Sequence, residues 1–417
     1  MRRDPKIAAA IAAAVTGGLL LCRVPGMGSD CDAWSYAALG IMSRKVGYFP
    51  SRLVFPPYPT YEYLAIALNR LHLPAMTLVA LAIASSAVCA VLLWRILEHY
   101  KVGAAWLLAP AVILSPAWAV GGSQAMEYSL AMALLLGAWL AALRSAQDVP
   151  AGAGQGDPEG HRGAALRGSR WTGVLFGLAV ATRWTSLAAF PLFWFEARQQ
   201  RWRSMLWSAG IIAAAYVPPI FVWRWRHGFP LFYHTSAGAA LTLQSAVGAL
   251  GILGLPALII ALLARPRVPA WPLAAAAALS LALFFAAPYE PQYLIVALPF
   301  LVLLAAYHRP AWVSVALAAL LLAGTPSAVA QNRAENYVQS AAVAGLLDAK
   351  GYQILPLYLH GRVIVLTDGT LRTHSARFLW VSDYRLPALG LIRKEDAQQY
   401  RDRNRRRQPR PASRDHG

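Results

Sequence analysis

The stretch PAMTLVALAIASSAVCAVLLW at residues 74–94 decides the fold class, because it is apolar over its whole length and carries no charge. A helix needs about 18–20 such residues to cross the hydrocarbon core of a bilayer. Further apolar segments lie on both sides of it, near 7–22, 103–120, 126–143, 172–197, 204–222, 245–264, 271–287, 291–307 and 311–330. The sequence therefore predicts an all-α integral membrane protein.

The composition of the 417 residues supports the same class. They are 58% apolar and 14% charged, with a mean hydropathy of +0.44, whereas soluble domains average about 45–50% apolar and about 25% charged. These values exclude a soluble enzyme, a DNA-binding factor and a disordered scaffold. Cys22, Cys31 and Cys89 have no CxxC or zinc-ribbon spacing, so they indicate neither a disulfide framework nor a structural metal site.

The segment 172–197 sets the predicted topology, because arginines flank it on both sides. Two short helices that enter the membrane and return keep both clusters on the same side. With that choice we expect about 11 membrane segments, a cytoplasmic N-terminus and an outer C-terminus, as in a bacterial-type plasma or inner membrane. Short inner loops then hold 15 Lys and Arg residues and outer loops 7, which agrees with the positive-inside rule.

We predict a membrane domain over 1–330, with a first outer loop at 23–73 and a flexible Gly/Ala/Pro-rich inner loop at 144–170. Residues 331–400 are expected to form a small outer-face α+β unit. Its predicted elements are a helix at 334–349 and strand-like runs at 353–359, 362–366 and 377–381. Residues 401–417 resemble a disordered basic tail that contacts anionic lipid headgroups or has no role; nucleic-acid binding is not expected.

Charged residues within or beside membrane segments are energetically expensive and are functional candidates, unless they snorkel or pair. The predicted topology places five of them on the outer side: Asp30, Asp32, Glu127, Arg183 and Glu290. Nothing polar lies near Arg183 in the sequence except Thr182, Thr185 and Ser186, so it needs a partner in space. A lipid phosphate or Glu127 would serve.

The aspartates of the first outer loop have two interpretations. Asp32 is placed to cap a surface helix over 33–42, and that role alone would explain it. Alternatively, the spacing of Asp30 and Asp32 suits a general base or a site for a divalent cation. No other cofactor is indicated.

The same loop carries Arg44, Lys45 and Arg52 among aromatic residues that include Tyr58. Guanidinium groups bind phosphate bidentately, and aromatic faces stack on sugar rings, so the pattern suits a phosphate joined to a sugar. It suits an interfacial aromatic belt with snorkelling cations equally well.

Five segments, in order, carry a resemblance to a known superfamily. They include DAWSYAALGIMSRKVGYFPSRLVFPPYPTYEYL, ILSPAWAVGGSQAMEYSLAMALLLGAWLAAL, GLAVATRWTSLAAFPLFW and APYEPQYLIVALPFLVLLAA, and the similarity covers residues 1 to about 330. This pattern resembles the GT-C glycosyltransferases of the protein mannosyltransferase and lipid A aminoarabinose transferase type. The resemblance implies a multi-span enzyme that takes a sugar from a polyprenyl-phosphate donor at the outer face. The acceptor would be a lipid, a glycan or a protein.

The resemblance also implies roles for individual residues. Asp32, followed by Tyr36, is similar to the first-loop acid that acts as general base or supports a metal, with Asp30 as a second acid. Arg52 and Arg183 are similar to arginines near the carrier phosphate. Further donor-site positions are expected at Tyr58, Glu127, Glu290 and Tyr293.

The chain departs from the family pattern in two places. Gln292 stands where many members have arginine, and Ala33 follows Asp32 in place of a second acid. The chain also offers no dedicated second nucleophile, so we expect a direct displacement in which a carboxylate deprotonates the acceptor and cations stabilise the departing phosphate.

Other functions are open at the level of sequence. A secondary transporter or lipid flippase would be expected to show an internal repeat and ionisable residues at mid-membrane, and neither is evident. A polymerase, ligase or acyltransferase of lipid-linked glycan assembly is a second alternative. An acyltransferase would need a histidine near a span, and His72, His99, His227 and His234 lie in loops. A non-catalytic scaffold is the third.

Overall fold

The structure is a computed structural model. It describes residues 4–23, 33, 36, 58–73, 76–147, 158–196, 201–227, 239–264, 271–288, 291–333, 357–359, 362–366 and 378–382. By contact the chain divides into two compact units, Met1–Ala334 and Glu335–Gly417.

The first unit is helical in all its described residues that have regular structure. Its α-helices, in chain order, are α1 (Pro5–Cys22), α2 (Pro59–Arg70), α3 (Met76–His99), α4 (Ala105–Ile113), α5 (Pro116–Gly122), α6 (Tyr128–Gln147), α7 (Pro158–Thr182), α8 (Phe190–Glu196), α9 (Arg201–His227), α10 (Ala239–Leu263), α11 (Trp271–Ala286), α12 (Leu298–Ala306) and α13 (Ala311–Ala323). Two 3₁₀ helices, Trp184–Ala189 and Pro291–Val296, precede α8 and α12.

Several of these helices are long and apolar enough to cross a membrane. Within the described residues there are five such spans, and six if α4 and α5, which are bent by 62° at their junction, form one. The five are Pro5–Cys22, Met76–His99, Tyr128–Ser145, Ala239–Leu263 and Ala311–Arg333. The other segments predicted from sequence are helices that are shorter, broken or less apolar. The chain is therefore a mainly helical, multi-span membrane protein.

Burial separates inner from outer helices. More than half of the apolar stretch of α3 and of α6 is buried within the protein, whereas less than a quarter of that of α1 and of α10 is buried. Large apolar side chains such as Leu21, Ile252 and Leu263 are more than 70% exposed. Exposing so much apolar surface to water would be energetically unfavourable for a monomer, whereas the tails of membrane lipids would solvate it.

Interruptions in three helical segments lie next to one another in space. Pro116 begins α5 after the bend that follows α4, Gly251 interrupts α10 with φ +79°, and Gly324 follows α13. A Cβ atom on Gly324 would lie 2.8 Å from the Cα of Gly251 and 3.1 Å from Pro116, so only glycine allows this approach. The Oγ1 of Thr325 donates to the carbonyl of Leu114 at 2.6 Å, which satisfies a carbonyl that the bend leaves free.

Helices α7 and α9 pack with their backbones close together. Gly173 and Gly177 of α7 face Ser204 and Ser208 of α9, and a Cβ atom on Gly177 would lie 2.9 Å from the Cα of Ser208. The Ser208 hydroxyl donates to the carbonyl of Gly173 at 2.8 Å. Small residues four apart on both helices are the usual means of close packing in membranes, and this contact supports the end of α7.

The second unit contains an antiparallel sheet of three strands, in the order β1 (Leu357–Leu359), β2 (Arg362–Leu366) and β3 (Phe378–Ser382). Leu357 pairs with Ile364, and Ile364 pairs with Trp380. The strands overlap the three strand-like runs of the sequence. The predicted helix at 334–349 and the tail at 401–417 lie outside the described residues.

Candidate active site

Arg183 occupies the break between α7 and the 3₁₀ helix that follows it. Its backbone is extended, with φ −153° and ψ 112°, so the helix ends at Thr182 and the chain changes direction there. The Thr182 hydroxyl donates to the carbonyl of Leu178 at 2.7 Å, and the Arg183 carbonyl accepts from Ser186 N–H. This local order carries the Arg183 side chain into the protein, where it is only 2% exposed.

Glu127 is the ion-pair partner of Arg183. One of its carboxylate oxygens, Oε1, accepts from Nη1 of Arg183, and its side chain is fully buried. The residue directly precedes α6, where unpaired backbone N–H groups favour a negative charge. Of the two partners considered for Arg183 from sequence, a lipid phosphate and Glu127, the structure shows Glu127.

The second oxygen of Glu127 is bound to the first outer loop. Its Oε2 accepts from the hydroxyl of Tyr36 at 3.0 Å, a contact between residues 91 positions apart. Tyr36 and Ala33 are both helical and buried. A single carboxylate thus connects the arginine at the helix break to the loop that carries Asp32.

Tyrosine rings enclose the Arg183 guanidinium. Its central carbon, Cζ, lies 3.8 Å from the ring centre of Tyr128 and 5.2 Å from those of Tyr58 and Tyr293. Each ring face attracts the cation, and the attraction strengthens where water is absent. The three tyrosines come from the end of the first loop, the start of α6 and the second 3₁₀ helix, so the arginine holds three distant parts of the chain together.

Glu62 fixes the start of α2, next to this cluster. Its Oε1 accepts from the backbone N–H of Tyr58 at 3.0 Å, and its side chain is 2% exposed. Because Pro59 is the first residue of α2, the N–H of Tyr58 is the donor that a carboxylate in the first turns can cap. This hydrogen bond holds the backbone from which the Tyr58 ring reaches Arg183.

Tyr61 completes the contact between α2 and the first loop. Its ring meets that of Tyr36 edge-on, with ring centres 4.6 Å apart. Burial, and to a smaller extent the charge of Glu127, raise the pKa of the Tyr61 phenol well above its usual value, so this group stays protonated. Its hydroxyl has no hydrogen-bond partner in the part of the chain that the structure describes.

Four of the site residues predicted from sequence meet in this cluster: Tyr58, Glu127, Arg183 and Tyr293. The other four, Asp30, Asp32, Arg52 and Glu290, lie outside the described residues. The structure also places Tyr61, Glu62 and Tyr128 in or beside the cluster. From sequence, Tyr61 was one of several first-loop aromatic residues suited to a sugar ring or an interfacial belt, and no role was predicted for Glu62 or Tyr128. A signal for Glu62 was present, since a glutamate soon after Pro59 is typical of a helix start.

The cluster has a definite chemical character. The two opposite charges are desolvated and compensate each other, so the pair is formally neutral, and hydroxyl-bearing aromatic rings surround it. No group of three or more His, Cys, Asp or Glu side chains among the described residues could hold a metal ion. A cation at Asp30 and Asp32 stays a prediction from sequence.

Comparisons with known proteins give one structural likeness. No known family matches the sequence, and no curated protein matches it. Among solved structures, the chain is similar to the crystal structure of ArnT from Cupriavidus metallidurans bound to undecaprenyl phosphate. The identity is 14% and the TM-score 0.47, over 81% of this chain and 63% of that one. The chain thus spans less than two thirds of the length of that protein, and a likeness at this level assigns no function.

Proposed function

We propose that the protein is a membrane glycosyltransferase of the GT-C type. It moves a sugar from a polyprenyl-phosphate donor to a lipid, glycan or protein acceptor at the outer face of a bacterial-type plasma membrane. The N-terminus is cytoplasmic in this proposal, and the second unit lies on the outer side. Membrane lipid surrounds the helices of the first unit, and nucleic acid has no part in the function.

One observation carries the proposal. The buried pair of Arg183 and Glu127 is joined by the Tyr36 hydrogen bond to the first loop, at a position four residues after Asp32 in the sequence. Residues that the sequence resemblance assigns to one donor site, from segments far apart in the chain, therefore share a contact network. A lipid-facing packing residue would need no such network, and a buried charge pair is retained only where both charges are satisfied.

The roles follow from the chemistry of sugar transfer. As the bond from the anomeric carbon to the phosphate oxygen breaks, the acceptor oxygen attacks the anomeric carbon and gives its proton to Asp32. The departing phosphate keeps the electron pair of the broken bond and needs positive charge close by. Arg52 is the predicted phosphate contact, and the other predicted donor-site residues are Tyr58, Glu127, Arg183, Glu290 and Tyr293.

Sugar transfer in membrane vesicles tests this proposal. Wild-type and Asp32→Asn proteins at equal expression are given radiolabelled polyprenyl-phosphate sugars, with mannose, glucose, galactose, aminoarabinose and pentose donors in turn. We expect transfer by the wild type from one donor and a loss of at least about a hundredfold in the variant, as for removal of a general base. Asp4→Asn is the matched control, because Asp4 is exposed and only caps α1.

One result would contradict the proposed enzyme class, and another only the role of Asp32. Transfer by neither protein from any donor would favour a transporter, flippase or ligase instead. Equal transfer by the wild type and Asp32→Asn would keep the enzyme class and remove Asp32 as the base. Transfer that depends on added divalent cation, and is lost with Asp30→Asn, would assign the two aspartates to a metal.

A further inference from the structure

Three helix ends meet at an aromatic cluster that the candidate active site does not use. Trp194, near the end of α8, meets Trp202 of α9 edge-on, with ring centres 4.9 Å apart. Its neighbour Phe195 meets Trp271, the first residue of α11, at 4.2 Å. The end of α8 therefore lies against the starts of both α9 and α11.

Two exposed arginines lie on tryptophan rings at this place. The Cζ of Arg201, the first residue of α9, lies 5.1 Å from the ring centre of Trp194. The Cζ of Arg170 in α7 lies 4.7 Å from the ring centre of Trp207 in α9. Both arginines are exposed, and among the described residues their side chains have no ion pair and no hydrogen bond.

Arg170 and Arg201 lie at the same level of the packing between α7 and α9. Gly173 of α7 faces Ser204 of α9, an offset of 31 positions, and the contact one turn later keeps this offset. The same offset pairs Arg170 with Arg201. Two like charges at one level repel each other, and an anion bound by both would remove the repulsion.

The surrounding sequence supplies too few acidic residues to compensate these charges. Residues 160–270 contain 11 arginines and one acidic residue, Glu196. Glu196 can compensate one arginine at most, and Arg203 adds a third exposed arginine to Arg170 and Arg201. The cluster therefore keeps an excess of positive charge, which favours an anionic partner.

Arg95 shows what an arginine on a tryptophan ring does when the chain supplies the anion. Its Cζ lies 4.0 Å from the ring centre of Trp94, and Glu98 accepts from its Nη1 at 3.3 Å. A ring covers the face of a guanidinium and leaves the N–H donors at its edge available. Phosphate oxygens fit these donors as well as a carboxylate does.

The exposed rings indicate where such a phosphate would lie. Trp171, Trp202 and Trp271 are between 59% and 64% exposed, and each stands at the start of an apolar helical stretch. Tryptophan at such positions marks the boundary between the hydrocarbon core and the lipid headgroups. The predicted topology assigns this boundary to the cytoplasmic leaflet, where anionic phospholipids produce a negative surface potential.

We propose that Arg170 and Arg201, on the rings of Trp207 and Trp194, bind the headgroup phosphate of an anionic phospholipid. The acyl chains of this lipid lie along the apolar outer surface of α9, where Leu206 is 71% exposed. Such a site needs no sugar transfer, so it is independent of the proposed function.

Native mass spectrometry of the full-length protein in detergent tests the site. Phosphatidylglycerol and phosphatidylcholine with identical acyl chains are titrated separately, and the fraction of lipid-bound protein gives each affinity. We expect the wild type to bind phosphatidylglycerol at least about tenfold more tightly than phosphatidylcholine, because two arginines face the phosphate. Arg170→Gln and Arg201→Gln should each weaken phosphatidylglycerol binding about fivefold and leave phosphatidylcholine binding unchanged.

Arg95→Gln is the matched control, because it removes the same charge from the same kind of ring where the pair of Arg95 with Glu98 is already complete. Its affinity for phosphatidylglycerol should stay within about twofold of the wild type. Trp207→Leu keeps every charge and should weaken binding about threefold through loss of the cation–π contact. Circular dichroism should be unchanged in all four variants.

Three results would overturn the proposal. The first is equal binding of the two lipids by the wild type, which would leave an acidic protein as the partner of this surface. The second is a loss of phosphatidylglycerol in Arg95→Gln as large as in Arg170→Gln and Arg201→Gln, because the binding would then follow net charge alone. The third is displacement of the lipid by an equal concentration of glycerol 3-phosphate, which would identify a soluble phosphate as the ligand.

Discussion

The buried pair makes a quantitative prediction about stability, because its two members are not equally supported. If Glu127 is replaced by glutamine, Arg183 keeps an acceptor of the same shape and the three tyrosine rings, of which Tyr128 lies 3.8 Å away. If Arg183 is replaced by methionine, a fully buried carboxylate keeps the hydrogen bond from Tyr36 but loses its counter-charge. Arg183→Met should therefore lower the free energy of unfolding more than Glu127→Gln does.

The magnitudes follow from the burial of both partners. Removing one member of a buried ion pair costs about 3–5 kcal/mol, and Arg183→Met should lie in that range. A desolvated cation–π contact is worth about 2 kcal/mol, so the remaining rings should reduce the cost of Glu127→Gln to about 2 kcal/mol. The double variant carries no buried charge at this site. Its loss in free energy of unfolding should therefore be smaller than the sum of the losses in the two single variants, by at least about 2 kcal/mol.

Reversible unfolding in mixed micelles, titrated with sodium dodecyl sulfate, measures these free energies. The 15 tryptophans of the chain provide the fluorescence signal. Arg95→Gln serves as the control and should cost less than about 1 kcal/mol, because that pair lies at a partly exposed site. The reasoning is refuted if Arg183→Met unfolds within about 1 kcal/mol of the wild type, or if Glu127→Gln is the less stable single variant.

Three further variants test the packing and the site. Gly177→Val should lower the free energy of unfolding by about 1–3 kcal/mol, because the added Cβ would lie 2.9 Å from the backbone of α9. Gly324→Ala should lower it by a similar amount, because the added Cβ would meet the backbone of α10. Gly17→Ala is the control and should leave it unchanged, because an added Cβ at Gly17 would have no atom within 4 Å. The same titration measures all three. Glu62→Ala should lower the transfer rate about tenfold by releasing Tyr58, and Glu62→Gln, which keeps an acceptor, should retain most of it.

The membrane character of the chain was predictable because it depends on short stretches of sequence. Apolar runs such as 74–94 are longer than a helix needs to cross a bilayer, and this holds whatever fold the rest of the chain adopts. The break at Arg183 was predictable for a similar reason, since arginines on both sides of 172–197 disfavour a single crossing. The exact number of spans was not, because prolines and glycines bend or shorten helices in ways that depend on their neighbours, as Gly251 and Gly324 show.

The candidate site was predictable only in part. A charge within an apolar segment must have a partner, and this argument limited the partners of Arg183 to Glu127 or a lipid phosphate. The choice between the two required the fold, because 56 residues separate them. Of the enclosing rings, Tyr58 and Tyr293 were predicted only through the family resemblance and Tyr128 was not predicted, since tyrosines near a membrane surface usually form an interfacial belt and nothing local distinguishes these three from such residues.

The neutrality of the pair has a consequence for the source of catalytic charge. A departing phosphate needs positive charge that nothing else has already compensated, and Glu127 has compensated that of Arg183. Because Arg183 is also buried under tyrosine rings, the proposed transfer reaction would draw its positive charge from cations outside the cluster, and the sequence offers Arg44, Lys45 and Arg52 in the first loop. In the proposed reaction the pair would then contribute to orientation and not to charge, because it joins the end of α7 and the start of α6 to Tyr36 in the first loop.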